Sequence, residues 1–260
     1  ESGMSHVYSF FLVSALLRLS QRLHRRGRLD LGMGLALGAV AGLLVITRFT
    51  NALLLVIPLL WEVRSAAELK TRFRVLLTGR GWLVLPLVPL VLISLQMGYY
   101  FYLSGSPFHY AYASEGFDFG HPALLETWFS PHNGLFLYAP MMVFALVGLG
   151  RMAERKIAGA WLGIGLFVVT SYVFASWWQW YFGCALGARS FVEYYPIYMV
   201  AFGYFLQWLG TKAAPWRVGT WTVMVLLAIL SFKNGYLYKL CYLGEGDWDW
   251  NWFLGLVGAV

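Results

Sequence analysis

Eight apolar runs follow one another along the chain, at 6–21, 31–47, 50–62, 82–103, 134–150, 157–177, 191–209 and 216–233, and leave no stretch polar enough to fold by itself in water. A helix that crosses a bilayer needs about 20 mostly apolar residues at ~1.5 Å rise each. Hydrophobic residues make up 60% of the chain and charged ones only 12%, whereas about a quarter of an ordinary soluble domain is charged. The pattern predicts an all-α protein: a polytopic transmembrane helix bundle of about seven or eight membrane helices, forming one transmembrane domain over residues 1–260. The 50–62 run is too short to cross alone. Residues 31–62 are therefore expected to form a hairpin whose apex stops near the outer edge of the hydrocarbon.

Charge placement orients the bundle. Arg18, Arg22, Arg25, Arg26 and Arg28 fall in a connection from Arg18 to Asp30 that begins in the last turn of the first run, and Arg64, Lys70, Arg72, Arg74 and Arg80 in the connection from Glu62 to Arg80. Basic loops stay in the cytoplasm. Alternation then puts Arg151, Arg155, Lys156, Lys212 and Arg217 on the same side, so that only Arg48, Arg189, Lys233 and Lys239 of the 19 basic residues remain for the other face. The formal charge of +7 thus reports membrane orientation. No basic stripe interleaved with aromatics is present of the kind single-stranded nucleic acid requires, so no nucleic-acid partner is expected.

The opposite face collects a different chemistry. The 104–133 loop has no Lys or Arg and carries His109, Glu115, Asp118, His121, Glu126 and His132. These are candidates for hydroxyl binding or acid–base work, against a simpler role as solvated loop residues. A second outer segment holds Trp177, Trp178, Trp180, Arg189 and Glu193, and a third places Glu245, Asp247 and Asp249 among tryptophans. The indoles suit stacking on a sugar ring, and equally the ordinary interfacial belt. Arg48, at the hairpin apex in Thr47-Arg-Phe-Thr-Asn51, is costly beside hydrocarbon; it either anchors the interface or meets an anionic group such as a lipid phosphate. Arg189 follows Gly187, whose flexibility suits a tight turn, and can meet a phosphate or pair with Glu193.

Several chemistries find no pattern here. The histidines stand about eleven residues apart with no His-x-x-x-His spacing, so no metal is expected, and no Walker loop, nucleophile elbow or dinucleotide fingerprint implies another cofactor. Cys184 and Cys241 match neither a disulfide framework nor a zinc site and read as bystanders. Gly32-Met-Gly34 inside an apolar run reads as close helix packing.

Three stretches carry a resemblance: Met4-Ser-His-Val-Tyr-Ser-Phe-Phe11, Gly42 to Pro58 through Thr47-Arg-Phe-Thr-Asn51, and the Trp-rich loop ending in Gly187-Ala-Arg189 before Pro196. Together they resemble the polytopic GT-C glycosyltransferases that use polyprenyl-phosphate-linked sugars, of the protein O-mannosyltransferase and lipid A aminoarabinose transferase kinds. The resemblance implies an inverting hexosyl or pentosyl transfer from a polyprenyl-phosphate-linked donor to a lipid, glycan or protein acceptor. It places the enzyme among the membrane lipids of a bacterial cytoplasmic membrane, with its site on the periplasmic or outer face. It gives Arg48 and Arg189 the donor phosphate, and leaves His6 where relatives often carry a second acid. The acidic base that relatives hold in their first outer loop has no counterpart, so the chain is expected to be the C-terminal part of a longer enzyme and inactive alone. A flippase or transporter of lipid-linked glycans and a non-catalytic membrane subunit are the competing readings. The first needs access from both faces, whereas the charges here gather on one.

Overall fold

The computed structural model describes residues 4–108, 115–184, 186–238 and 241–258. The chain is all-α: among the described residues there is no strand, only an isolated antiparallel bridge between Phe117 and Trp177. The helices are α1 (Ser5–Arg26), α2 (Leu31–Thr47), α3 (Ile57–Leu60), α4 (Ala66–Leu77), α5 (Gly81–Ser104), α6 (Leu124–Phe129), α7 (Leu135–Tyr138), α8 (Met141–Glu154), α9 (Ala160–Ala175), α10 (Tyr195–Gly210), α11 (Ala214–Leu237) and α12 (Trp250–Gly258). Three-ten turns at Phe49–Val56 and Arg189–Tyr194 lead into α3 and α10. Residues divide into two compact units, Glu1–Ala113 with Lys156–Leu162, and Ser114–Arg155 with Gly163–Val260.

In the first unit, helix ends follow local chemistry. Arg22 to Arg26 extend α1 beyond the predicted run, and Gly27, left-handed at φ 66°, stops it with its N–H on the Leu23 carbonyl. Asp30 caps α2 by accepting the Met33 N–H at 2.8 Å. The basic connection after Glu62, read as a loop, contains α4. Ser65 accepts the Glu68 N–H and Glu68 in turn accepts the Arg64 N–H, a reciprocal cap at the helix start. The α2 glycines Gly34, Gly38 and Gly42 form a smooth stripe against α5. A Cβ at Gly38 would lie 2.9 Å from the Leu85 carbonyl oxygen, and one at Gly34 2.4 Å from that of Gly81. Gly32 takes no part in this contact.

In the second unit, α8 lies against α10 equally closely, for a Cβ at Gly148 would fall 2.0 Å from the Ala201 carbonyl oxygen. The run predicted at 134–150 is broken: α7 ends at Tyr138, and Pro140 opens α8. Phe174, Phe191, Tyr194, Tyr198 and Phe205 supply a largely aromatic core.

Among the described residues, two of the predicted spans become helices long and apolar enough to cross a membrane. Gly81–Ser104 has a mean hydropathy of 1.8 and Ala214–Tyr236 one of 1.4 over their most apolar windows. Only 6% of each window is buried. A core helix of a water-soluble protein covers its apolar side chains, yet Leu87, Leu90, Val91 and Leu95 of α5 and Val225, Leu226 and Ile229 of α11 are open. Trp82 and Tyr102 stand near the two ends of α5, and Trp216 and Tyr236 near those of α11, where interfacial aromatics sit.

Candidate functional site

The second unit assembles a histidine site from three loops. Ser130 to Asn133 join α6 to α7, the Trp-rich segment 176–188 follows α9, and residues 241–249 lead into α12. The His132 ring lies between two tyrosines, stacked on Tyr181 at 3.8 Å and on Tyr242 at 4.3 Å between centroids, with Trp180 edge-on at 5.7 Å. Its Nδ1 is 2.8 Å from Asp247 Oδ1, and the side chain is 15% exposed. Ser130 tightens the pairing, since its hydroxyl donates to the Asp247 carbonyl and accepts the His132 N–H.

Asn133 fastens the loops together. Its backbone is left-handed at φ 68°, a region asparagine tolerates. The side chain, 1% exposed, donates to the Tyr181 and Gly183 carbonyls and accepts the Gly187 N–H and the Tyr238 hydroxyl. Burial pushes the Tyr238 phenol up to about 12, keeping it a donor. Burial also raises the Tyr242 phenol, whose hydroxyl donates to the Gly246 carbonyl. Asp249 accepts the Trp252 and Glu245 N–H groups, which hold its carboxyl below the usual range.

Arg189 lies two residues beyond the Gly187 amide that Asn133 holds. Its guanidinium donates from Nη2 to the Phe182 carbonyl at 2.7 Å. Phe182 is left-handed at φ 56°, uncommon for a bulky side chain. Gly187, at φ 64°, passes so close to Tyr138 that an added Cβ would lie 2.6 Å from the Tyr138 Cβ. Glu193 is buried in the three-ten turn that Arg189 opens.

Cys184 and Cys241 are disulfide-bonded, correcting their reading as bystanders. The bond ties the Trp-rich loop to the segment carrying Tyr242 and Asp247. The two cysteines are 57 residues apart in sequence, so spacing alone could not pair them.

The first unit brings together two other predicted residues. Arg48 Nη1 lies 3.0 Å from Nδ1 and 3.2 Å from Nε2 of His6, which is buried in α1. A guanidinium only donates, so the imidazole meets it through its unprotonated nitrogen. One turn on, Asn51 donates to Ser9 and to the Leu44 carbonyl. His6 with Ser9 on α1, and Arg48 with Asn51 after α2, thus form two rungs that fix the arginine.

The remaining candidates distribute differently. Asp118 and His121 form an exposed pair at 3.1 Å in a turn where Asp118 also accepts the Gly120 N–H; the His121 and Gly120 hydrogen bonds lower the carboxyl's pKa. Gly116 to Ala123 run alongside Ala175 to Trp178 through backbone hydrogen bonds, placing Glu115 at the start of that strip. Trp177 packs edge-on to Phe117, Trp178 is exposed, and Trp180 belongs to the His132 cluster. His109 lies outside the described residues. Among the described residues no cluster of three or more His, Cys, Asp or Glu could hold a metal ion.

Compared with protein-family models, curated proteins and solved structures, the chain matches none.

Proposed function

We propose that this chain is part of a GT-C-like membrane glycosyltransferase. It moves a hexose or pentose from a polyprenyl-phosphate donor to an acceptor hydroxyl on the outer face of a bacterial cytoplasmic membrane. The observation that carries the reading is the position of the His132 cluster at the end of a lipid-facing helix. Helix α11 exposes an apolar flank and ends at Tyr238, whose hydroxyl reaches Asn133, the residue that also holds the loop leading to Arg189. A donor with a prenyl tail and a sugar-phosphate head requires this adjacency of apolar wall, aromatic rings and guanidinium. The disulfide supports the outer face independently of the charge pattern, because such bonds persist in oxidising compartments.

In this reaction the acceptor oxygen attacks the anomeric carbon from the side opposite the phosphate, and the bond to the polyprenyl phosphate breaks with inversion. Negative charge builds on the departing phosphate, where cationic side chains act most strongly. Arg189 is assigned that role beside the His132 cluster, and Arg48, held by His6 in the other unit, is the second candidate that the resemblance names. The test is transfer of radiolabelled sugar from polyprenyl-phosphate donors in membranes carrying the full-length gene product. Arg48→Ala and Arg189→Ala at matched expression are each expected to lower transfer about 100-fold. Wild-type rates in both variants would remove the arginines from the site, and no transfer by the wild type would contradict the reading.

A further inference from the structure

We propose that His132, oriented by Asp247, is a general base within this chain that takes the proton from the acceptor hydroxyl. The inference rests on the sugar-transfer reading and assigns it a catalytic residue and a positioning residue. A histidine kept only for packing usually engages both ring nitrogens or hides them. Here Nδ1 faces Asp247 Oδ1 at 2.8 Å, while Nε2 has no partner among the described residues and is not sealed from solvent. A carboxylate on Nδ1 fixes the neutral tautomer with its proton there, leaving the Nε2 lone pair outward. Rotation is blocked by Tyr181 and Tyr242 on the ring faces. Both walls are fastened in turn: Tyr181 by Asn133 through its carbonyl, and Tyr242 by its neighbour Cys241 through the disulfide. Such aligned, braced geometry is what a proton-transferring group requires.

The step balances without any further reagent. The acceptor oxygen forms a bond to the anomeric carbon, the carbon–oxygen bond to the polyprenyl phosphate breaks, and that phosphate leaves with the electron pair. The hydroxyl proton passes to His132 Nε2, giving an imidazolium whose Nδ1–H remains on Asp247. Water then carries the proton away.

The test is steady-state transfer by the full-length gene product in membranes, with His132→Gln, Asp247→Asn and Asp247→Glu. His132→Gln is expected to lower kcat about 100-fold or more with the donor KM unchanged. Asp247→Asn should also lower kcat, and Asp247→Glu should restore most of it. Retention of the Cys184–Cys241 disulfide and of the wild-type melting temperature identifies folded variants. Wild-type kcat in folded His132→Gln or in folded Asp247→Asn overturns the base assignment while leaving sugar transfer standing. A wild-type protein that transfers no sugar overturns both.

Discussion

Asn133 meets two demands that few residue types satisfy together: a left-handed backbone, and a buried side chain with two donors and an acceptor facing in different directions. Removing the amide strands the Gly187 N–H and the Tyr181 and Gly183 carbonyls, and each such buried group costs about 1–3 kcal/mol. Asn133→Ala is therefore expected to destabilise the protein by roughly 3 kcal/mol or more. Asn133→Gly, which relieves the backbone and loses the same hydrogen bonds, should be milder by about 1 kcal/mol. Thermal unfolding in detergent compares the two; equal melting temperatures for wild type and Asn133→Ala would contradict this role. His132 stood out in the sequence because it lies in an outer loop without Lys or Arg. Asp247 stood out only as one of three acids in a separate outer stretch 115 residues away, and its pairing with His132 was not legible, since only the folded chain brings these loops together. Arg48 and His6 were each legible as unusual polar residues, but their contact spans 42 residues and is set by the packing of α1 on the turn after α2.

Among the elements, hydropathy located α5 and α11 closely, because a long apolar run that ends at a left-handed glycine or an interfacial tyrosine leaves little freedom in its ends. It failed where packing or charge competes with the run. Helix α4 was missed because a basic, half-apolar connection reads as a loop until the Ser65–Glu68 cap is seen. The 134–150 run was read as unbroken because its apolar character hides Pro140, which separates α7 from α8. The glycine stripe of α2 was only half legible. Gly34 packs as its neighbourhood suggested, whereas Gly32 points elsewhere and the working partners are Gly38 and Gly42, one and two turns on. Small residues four apart let two membrane helices touch along their backbones. Gly38→Leu is expected to cost about 1–3 kcal/mol by overpacking. Gly98→Leu on α5, where a Cβ meets open space, should leave the melting temperature within a degree or two, about the change that a surface substitution of ±0.5 kcal/mol produces. Equal losses in both would show that the α2–α5 contact is not the cause.

For the whole molecule, sugar transfer outside the cytoplasm requires the His132 cluster and the basic turn between α10 and α11 to lie on opposite sides of the membrane. The chain offers a direct way to see this, because its two cysteines are bonded to each other and no free thiol remains among the described residues. A single cysteine introduced at an exposed position then adds one maleimide site, read against the unsubstituted protein as background. His121→Cys reports the outer strip and Lys212→Cys reports the turn between α10 and α11; both positions are exposed. Intact cells treated with a membrane-impermeant maleimide are expected to label His121→Cys fully and Lys212→Cys only after permeabilisation. Labelling of Lys212→Cys in intact cells with His121→Cys protected, or equal labelling of both, would contradict an outward-facing site.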